Sequence, residues 1–258
     1  MMDQVLTVDH QDKVAVLTMT YRPYNLTSPT LSRALLGAFE EAVRAGSRAV
    51  LIKSGLKHFS AGADLNLFDE RIAKEGKAQI SPIDVLRGFE QLPIPIVVAI
   101  NGVCLGGGLE IALACDYIIA ASSAKIGSVE VALGLHPLLG GIQRQVQRVG
   151  VARAKEMSLL GRRYDAATLE RWGLINLVVP DDQLEGTALT IATELANGPT
   201  VAHAATKKLV AVAVNQGIEA ADLQMEEIQK PIWKSADLRR GLESFRANGP
   251  GLTVFEGN

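Results

Sequence analysis

Apolar and polar residues alternate over Val5 to Asp9 and again over Val14 to Thr20, on either side of Gln11-Asp12-Lys13. A period of two with a polar break predicts a hairpin with one buried face. The period then changes. Leu31, Leu35, Phe39 and Val43 recur every fourth residue behind Ser28-Pro29, which predicts an amphipathic helix with Ser28 as N-cap and proline in its first turn. Ala49 to Lys53 reads as a short strand, LNLFDERI behind Asp64 has helical spacing, and Asp84 to Leu92 is a helix ended by Leu92-Pro93.

Residues 97 to 130 are organised differently. A buried strand, Val97 to Ile100, meets an Asn101-Gly102 turn, then Gly106, Gly107 and Gly108, a short helix from Leu109 to about Cys115, and an apolar strand from Tyr117 to Ala120. A loop over Gly134 to Gly141 leads into helices around Gln143 to Val149 and Ala152 to Leu160. Asp165 caps another helix that stops at Gly173, and Leu177 to Val179 is a strand. From Asp182 the pattern is helical: Leu184 to Ala196, Val201 to Val214, Ile218 to Ile228 and Leu238 to Arg246, broken at Asn197-Gly198-Pro199 and Lys230-Pro231. Leu209, Val210, Val212 and Val214 spread over more than one helix face, so these helices are expected to cover a partner subunit as well as the chain's own core.

Composition narrows the field without naming a function. With 258 residues, 48% hydrophobic, 21% charged and a net charge of −2, the chain fits one large soluble domain, or one with an appendage. No basic surplus points to nucleic acid or an anionic membrane. No apolar run approaches the ~20 residues of a membrane span, and MMDQVLTVDH lacks a secretory pattern, so a cytoplasmic location is expected. Cys104 and Cys115, in apolar surroundings, are expected to be buried free thiols. His10, His58, His136 and His203 are scattered without HExxH or CxxC spacing, and no metal site is expected.

The chemistry concentrates in two small-residue loops, each after a strand and before a helix: Ala61-Gly62-Ala63 and Gly106 to Gly108. Without a Cβ, glycine lets another molecule lie against the backbone, and the first N–H groups of a helix lack intrahelical partners. One N–H from each loop could converge on an oxygen that becomes negative during a reaction. The glycines would equally serve a tight strand-to-helix crossing, and Asp64 reads as an N-cap rather than a catalytic group.

KHFSAGADL together with NGVCLGGGLEIALACDYIIAA resembles the paired signature of the enoyl-CoA hydratase/isomerase (crotonase) superfamily. The likeness extends from the first hairpin through GLINLVVP to SADLRRGLESF, essentially the whole chain. It implies an α/β fold, a ββα spiral with two roughly perpendicular sheets and a helical C-terminal region. Residues 1–196 would form the core with the active site and 197–258 a trimerisation region, giving a homotrimer or a dimer of trimers.

By the same resemblance, the backbone N–H groups of Ala61 and Gly107 form an oxyanion hole for a thioester carbonyl, and bulk at Gly107 is expected to fill the oxygen's place. Glu110 would deprotonate water and Glu130 would supply the proton to Cα. Taken singly, Glu110 also suits a helix N-terminus and Glu130 a solvated loop. The acyl-CoA would be bound by Tyr24, Leu26, Lys57, Ser60, Gly62, Ala63, Asp64, Leu65, Gly106, Val129, Pro137 and Leu138, with no cofactor beyond the coenzyme A of the substrate itself. The family commonly has glycine just after the proline where this chain has Pro137-Leu138, and Tyr24-Asn25-Leu26 only partly matches the family's Asn-Ala-Leu. Three readings stand at this level: a 2-enoyl-CoA hydratase, a 3-to-2 enoyl-CoA isomerase needing one base, and a non-catalytic acyl-CoA-binding protein.

Overall fold

The computed structural model describes residues 5–73 and 81–258. Part of the insertion FDERIAKEGKAQIS, to which the family resemblance gives no reading, lies outside the described residues.

Strands β1 (Leu6–Gln11) and β2 (Val14–Met19) form the expected antiparallel hairpin, with Leu6 opposite Met19 and Gln11 opposite Val14. From β2 onward the sheet is parallel: β3 (Ala49–Ser54), β4 (Ile96–Ile100), β6 (Tyr117–Ala121) and β9 (Leu177–Val179) complete a six-stranded order β1-β2-β3-β4-β6-β9. Strand β4, IVVAI, is buried along its whole length, as a parallel strand covered on both faces must be. Helix α1 (Pro29–Arg44) starts where Ser28 Oγ accepts the Leu31 N–H at 3.2 Å. It meets α3 (Pro82–Gln91) through an edge-to-face Phe39–Phe89 pair with centroids 4.6 Å apart. Val43 is 41% exposed, and Ala38 and Ala42 take the inner positions instead, because a strict four-residue repeat drifts off one face of a 3.6-residue helix.

The second sheet is built from pieces too short for a sequence period to reveal. Its order is β5-β7-β8, from Val103–Leu105, Lys125–Gly127 and Tyr164–Asp165. Only Asn101-Gly102 separates β4 from β5, so the chain changes sheets across a single turn. Gly102 has φ +58°, and a Cβ there would lie 2.5 Å from both His58 Nδ1 and the Lys57 carbonyl, so glycine is required for the crossing. Ser60 bridges Cys104 beyond the turn, which lays the Ala61 loop alongside β5.

Helices α2 (Asn66–Ala73), α4 (Gly107–Leu113), α5 (Gly141–Leu160), α6 (Ala166–Arg171) and α7 (Leu184–Asn197) follow the expected order. The segment Gly141–Leu160 is interrupted at Gly150, whose φ of +73° and ψ of 171° are not helical, so the two helices expected around Gln143 to Val149 and Ala152 to Leu160 are both present. Asp165 caps α6 as expected, its Oδ1 accepting the Thr168 N–H at 2.7 Å. After α8 (Thr200–Gln216), helix α9 (Ile218–Lys234) departs from expectation by passing through Pro231. Proline forfeits one backbone hydrogen bond. Here Pro231 sits on the exposed side, and the helix continues through half-buried Ile232 to Lys234 before α10 (Ala236–Asn248). Val212, Ala221 and Ile228 form a small cluster of their own between α8 and α9.

Candidate active site

Segment 24–27 runs beside the Ala61 loop. Ala61 N–H donates to the Tyr24 carbonyl at 3.1 Å, Thr27 N–H to the Gly62 carbonyl at 2.8 Å, and Asp64 N–H to the Thr27 carbonyl at 3.2 Å. The first bond corrects the expectation for Ala61, whose N–H is already committed to the protein. In the parallel bridge between Thr27 and Ala63, both groups of Thr27 reach the residues flanking Ala63. The N–H of Ala63 itself therefore points away from Thr27. Sequence reasoning had Ala63 in the loop as a contact only; what distinguishes it from Ala61 is the pairing of a strand partner 36 positions away, which no local pattern carries.

The glycine run lies against this loop. A Cβ on Gly106 would be 3.7 Å from Gly62 Cα and 3.4 Å from Glu130 Oε1, and φ there is +50°. Gly107 opens α4, where its N–H has no intrahelical acceptor. A Cβ on Gly107 would fall 2.3 Å from Thr27 Oγ1. Bulk at this position thus collides with Thr27, behind the loop, rather than filling the oxygen's place as expected. A Cβ on Gly108 would meet Ser60 Cβ at 2.4 Å, so the two loops are held as close as glycine allows.

Glu110 projects from the first turn of α4 and is 2% exposed. Its Oε1 accepts two backbone N–H bonds, from Leu139 and from Gly141, each 2.8 Å. Burial, opposed by the Gly141 and Leu139 hydrogen bonds and by Arg144 but reinforced by Glu130, pushes its pKa from 4.5 up to about 7. Glu130 starts a 3-10 turn, Glu130–Leu133. Both of its carboxylate oxygens are buried without a hydrogen-bond partner among the described residues. Burial raises its pKa as well, with its own backbone N–H and His136 acting the other way.

A carboxylate with both oxygens dry and unpaired is costly as an anion, and one such group beside a second, hydrogen-bonded carboxylate is a donor–acceptor pair for protons. Of the remaining expected site residues, Ser60, Gly62 and Pro137 are buried and Val129 and Leu138 half-buried, while Tyr24, Lys57 and Leu65 are exposed. Leu26 is half-buried, and Asp64 behaves as a cap, its Oδ1 accepting the Asn66 N–H at 3.0 Å. A cleft of about 440 Å³ between α3 and α8 is lined by neither glutamate.

The family model for enoyl-CoA hydratase/isomerase matches residues 9–250. A probable enoyl-CoA hydratase of Rhizobium meliloti is 33% identical over 256 residues, covering 95% of each chain. A short-chain-enoyl-CoA hydratase of Clostridium acetobutylicum is 36% identical over 218 residues, covering 82% of this chain and 81% of that one. Among solved structures, an enoyl-CoA hydratase from Bacillus anthracis superposes with a TM-score of 0.87 at 31% identity, over 99% of this chain and 100% of that one. The fold and the paired carboxylates thus have a family: this chain belongs to the enoyl-CoA hydratase/isomerase family, with the crotonase fold. Its relatives named above are hydratases.

Proposed function

We propose that this protein is a 2-enoyl-CoA hydratase, adding water in syn fashion across the double bond of a 2-trans-enoyl-CoA thioester. The observation that carries the reading is the pair formed by Glu110, held through one oxygen, and Glu130, with both oxygens buried and unpartnered among the described residues. Glu110 accepts a proton from water as its oxygen bonds to Cβ. The electron pair of the double bond moves onto the thioester, and the N–H groups of Ala63 and Gly107 stabilise the resulting enolate oxygen. Glu130 then delivers its proton to Cα, and exchange with solvent resets both carboxyls. Tyr24, Leu26, Lys57, Leu65 and Leu138 are assigned to contacts with the acyl-CoA. The names of the relatives support an acyl-CoA substrate.

Self-association belongs to the same proposal. Ile218, Leu223 and Trp233 of α9 are 76%, 80% and 69% exposed, and Phe245 of α10 is 59% exposed. Apolar surface of that extent on residues 197–258 supports a trimer, alone or doubled.

The test is turnover of crotonyl-CoA and of a 3-enoyl-CoA, following loss or gain of the conjugated thioester absorbance. Hydration of the 2-enoyl substrate is expected, and Glu110→Gln should slow it about 100-fold or more, in keeping with general acid–base contributions. Isomerisation of the 3-enoyl substrate without hydration of the 2-enoyl one would replace this reading with an isomerase. Undiminished turnover in both Glu110→Gln and Glu130→Gln would remove the carboxylates from the mechanism.

A further inference from the structure

The loop that holds Glu110 is itself held. Leu139 and Gly141 supply the N–H groups to Glu110 Oε1, and between them Gly140 turns its carbonyl the other way, towards Arg144 Nη1 at 3.1 Å. Gly140 is in the left-handed region with φ +99°, and a Cβ there would lie 2.5 Å from Arg144 Nη1, so the guanidinium is packed directly on the loop. Gly141 is equally tight on the opposite side, where a Cβ would lie 2.8 Å from Glu110 Cγ. Arg144 is 9% exposed, and its remaining donors go to α3: Nε reaches Glu90 Oε1 at 2.8 Å and Nη2 the same oxygen at 2.7 Å.

We infer that Arg144, anchored by Glu90, is a positioning residue for the hydration reaction, fixing the Leu139–Gly141 loop that orients Glu110 and lending it a compensated positive charge. The inference rests on the proposed role of Glu110 as the base that activates water. A buried arginine serves both parts of the task. Its planar fork holds a carbonyl and a carboxylate in one fixed geometry, which a lysine's single ammonium does not. Its charge favours the ionised form of the nearby carboxyl.

The charged groups that face Glu110 are few. Glu130 approaches from the 3-10 turn and disfavours its ionisation, Arg144 from α5 favours it, and α4 itself contributes no other ionisable side chain. Glu90 stands behind Arg144 and tempers its charge. Glu90 also borders the cleft between α3 and α8 and is partly open to solvent, its side chain 37% exposed, so it tolerates replacement better than the buried arginine does.

The consequence is a pair of opposite shifts. Arg144→Gln removes the cation and should move the titration of Glu110 up by about one pH unit. Glu90→Gln leaves the cation unbalanced and should move it down. Arg144→Lys keeps the charge but not the fork, so the titration should stay near that of the wild type while kcat for crotonyl-CoA remains about 10-fold low from misalignment of the base.

The experiment measures the carboxyl carbon of Glu110 by 13C NMR titration without substrate, alongside the pH profile and the separate kcat and KM of crotonyl-CoA hydration. The NMR arm is independent of turnover. Opposite shifts in the two glutamine variants support the inference even if the protein proves not to hydrate crotonyl-CoA, a result that would count against the proposed function alone. Loss of kcat with no movement of the Glu110 titration in either variant would reduce the pair to a structural tie and overturn the inference. If Arg144→Gln does not fold, Glu90→Gln decides: a downward shift supports the assignment, and an unmoved titration overturns it.

Discussion

At the scale of single residues, Glu110 couples its proposed role as base to stability. Its carboxyl binds a proton more tightly folded than unfolded, with a pKa raised from 4.5 to about 7. The folded state therefore holds more protons than the unfolded one between those values, and the stabilisation it draws from the neutral acid is complete below pH 4.5 and lost as pH rises through 7. Glu110→Gln cannot ionise but keeps an oxygen to accept the Leu139 and Gly141 N–H groups. Thermal melts of wild type and Glu110→Gln should diverge over that window, the variant gaining up to about 3 kcal/mol relative to wild type at alkaline pH. A gap that stays constant with pH would mean the carboxyl is not perturbed by folding. The same titration predicts that hydration falls away below about pH 7 in the free enzyme, because water activation needs the ionised base.

At the scale of elements, the two small-residue loops are spaced by Thr27. Its backbone pairs with Gly62 and Asp64, while its side chain lies directly against Gly107. A methyl group at Gly107 must displace Thr27, and with it the strand pairing that aims the Ala63 N–H. Gly107→Ala is expected to cut turnover about 100-fold, on the scale of losing one oxyanion donor. Adding Thr27→Ala removes Oγ1 and Cγ2 and leaves 3.2 Å to the threonine Cβ, so the double variant should recover part of the rate. Equal rates for the single and double variants would show that Thr27 does not couple the loops.

The whole molecule is closed by its C-terminal segment. Buried Asp237, 1% exposed, accepts the N–H groups of Glu256 and Gly257 at 2.8 and 2.7 Å and pairs with Arg240 at 2.8 Å. Arg48, at the entry to β3, donates to the Phe255 carbonyl at 3.0 Å, to Thr200 Oγ1 at 2.8 Å and to the Gly198 carbonyl. Residues more than 150 positions from Arg48 are thereby tied to the central sheet. Asp237→Ala leaves two backbone donors without their acceptor and takes from Arg240 one of its partners, Asn258 Oδ1 and Glu256 Oε2 remaining, and should cost about 3 kcal/mol, with the tail beyond Asn248 cut first in limited proteolysis. Unchanged cleavage and unchanged melting would show that the clasp contributes nothing to closure.

The hairpin, the parallel strands, most helix limits and the concentration of small residues before α4 were legible in the sequence because each is written in local periods, caps and breakers. Glu110 and Glu130 were nominated by the family resemblance instead; local pattern alone made Glu130 a solvated loop residue, and its burial came only with the fold. What the sequence could not contain was direction and distance. Whether Ala61 or Ala63 turns its N–H outward depends on which of them pairs with Thr27. The space beside Gly107 belongs to a residue 80 positions away, and helix α9 runs on through Pro231 to Lys234, past the break that its local sequence predicts. The composition and order of the site were determined by the sequence; its aim was decided by tertiary packing, because a backbone N–H acquires a target only once its neighbours in space have claimed theirs.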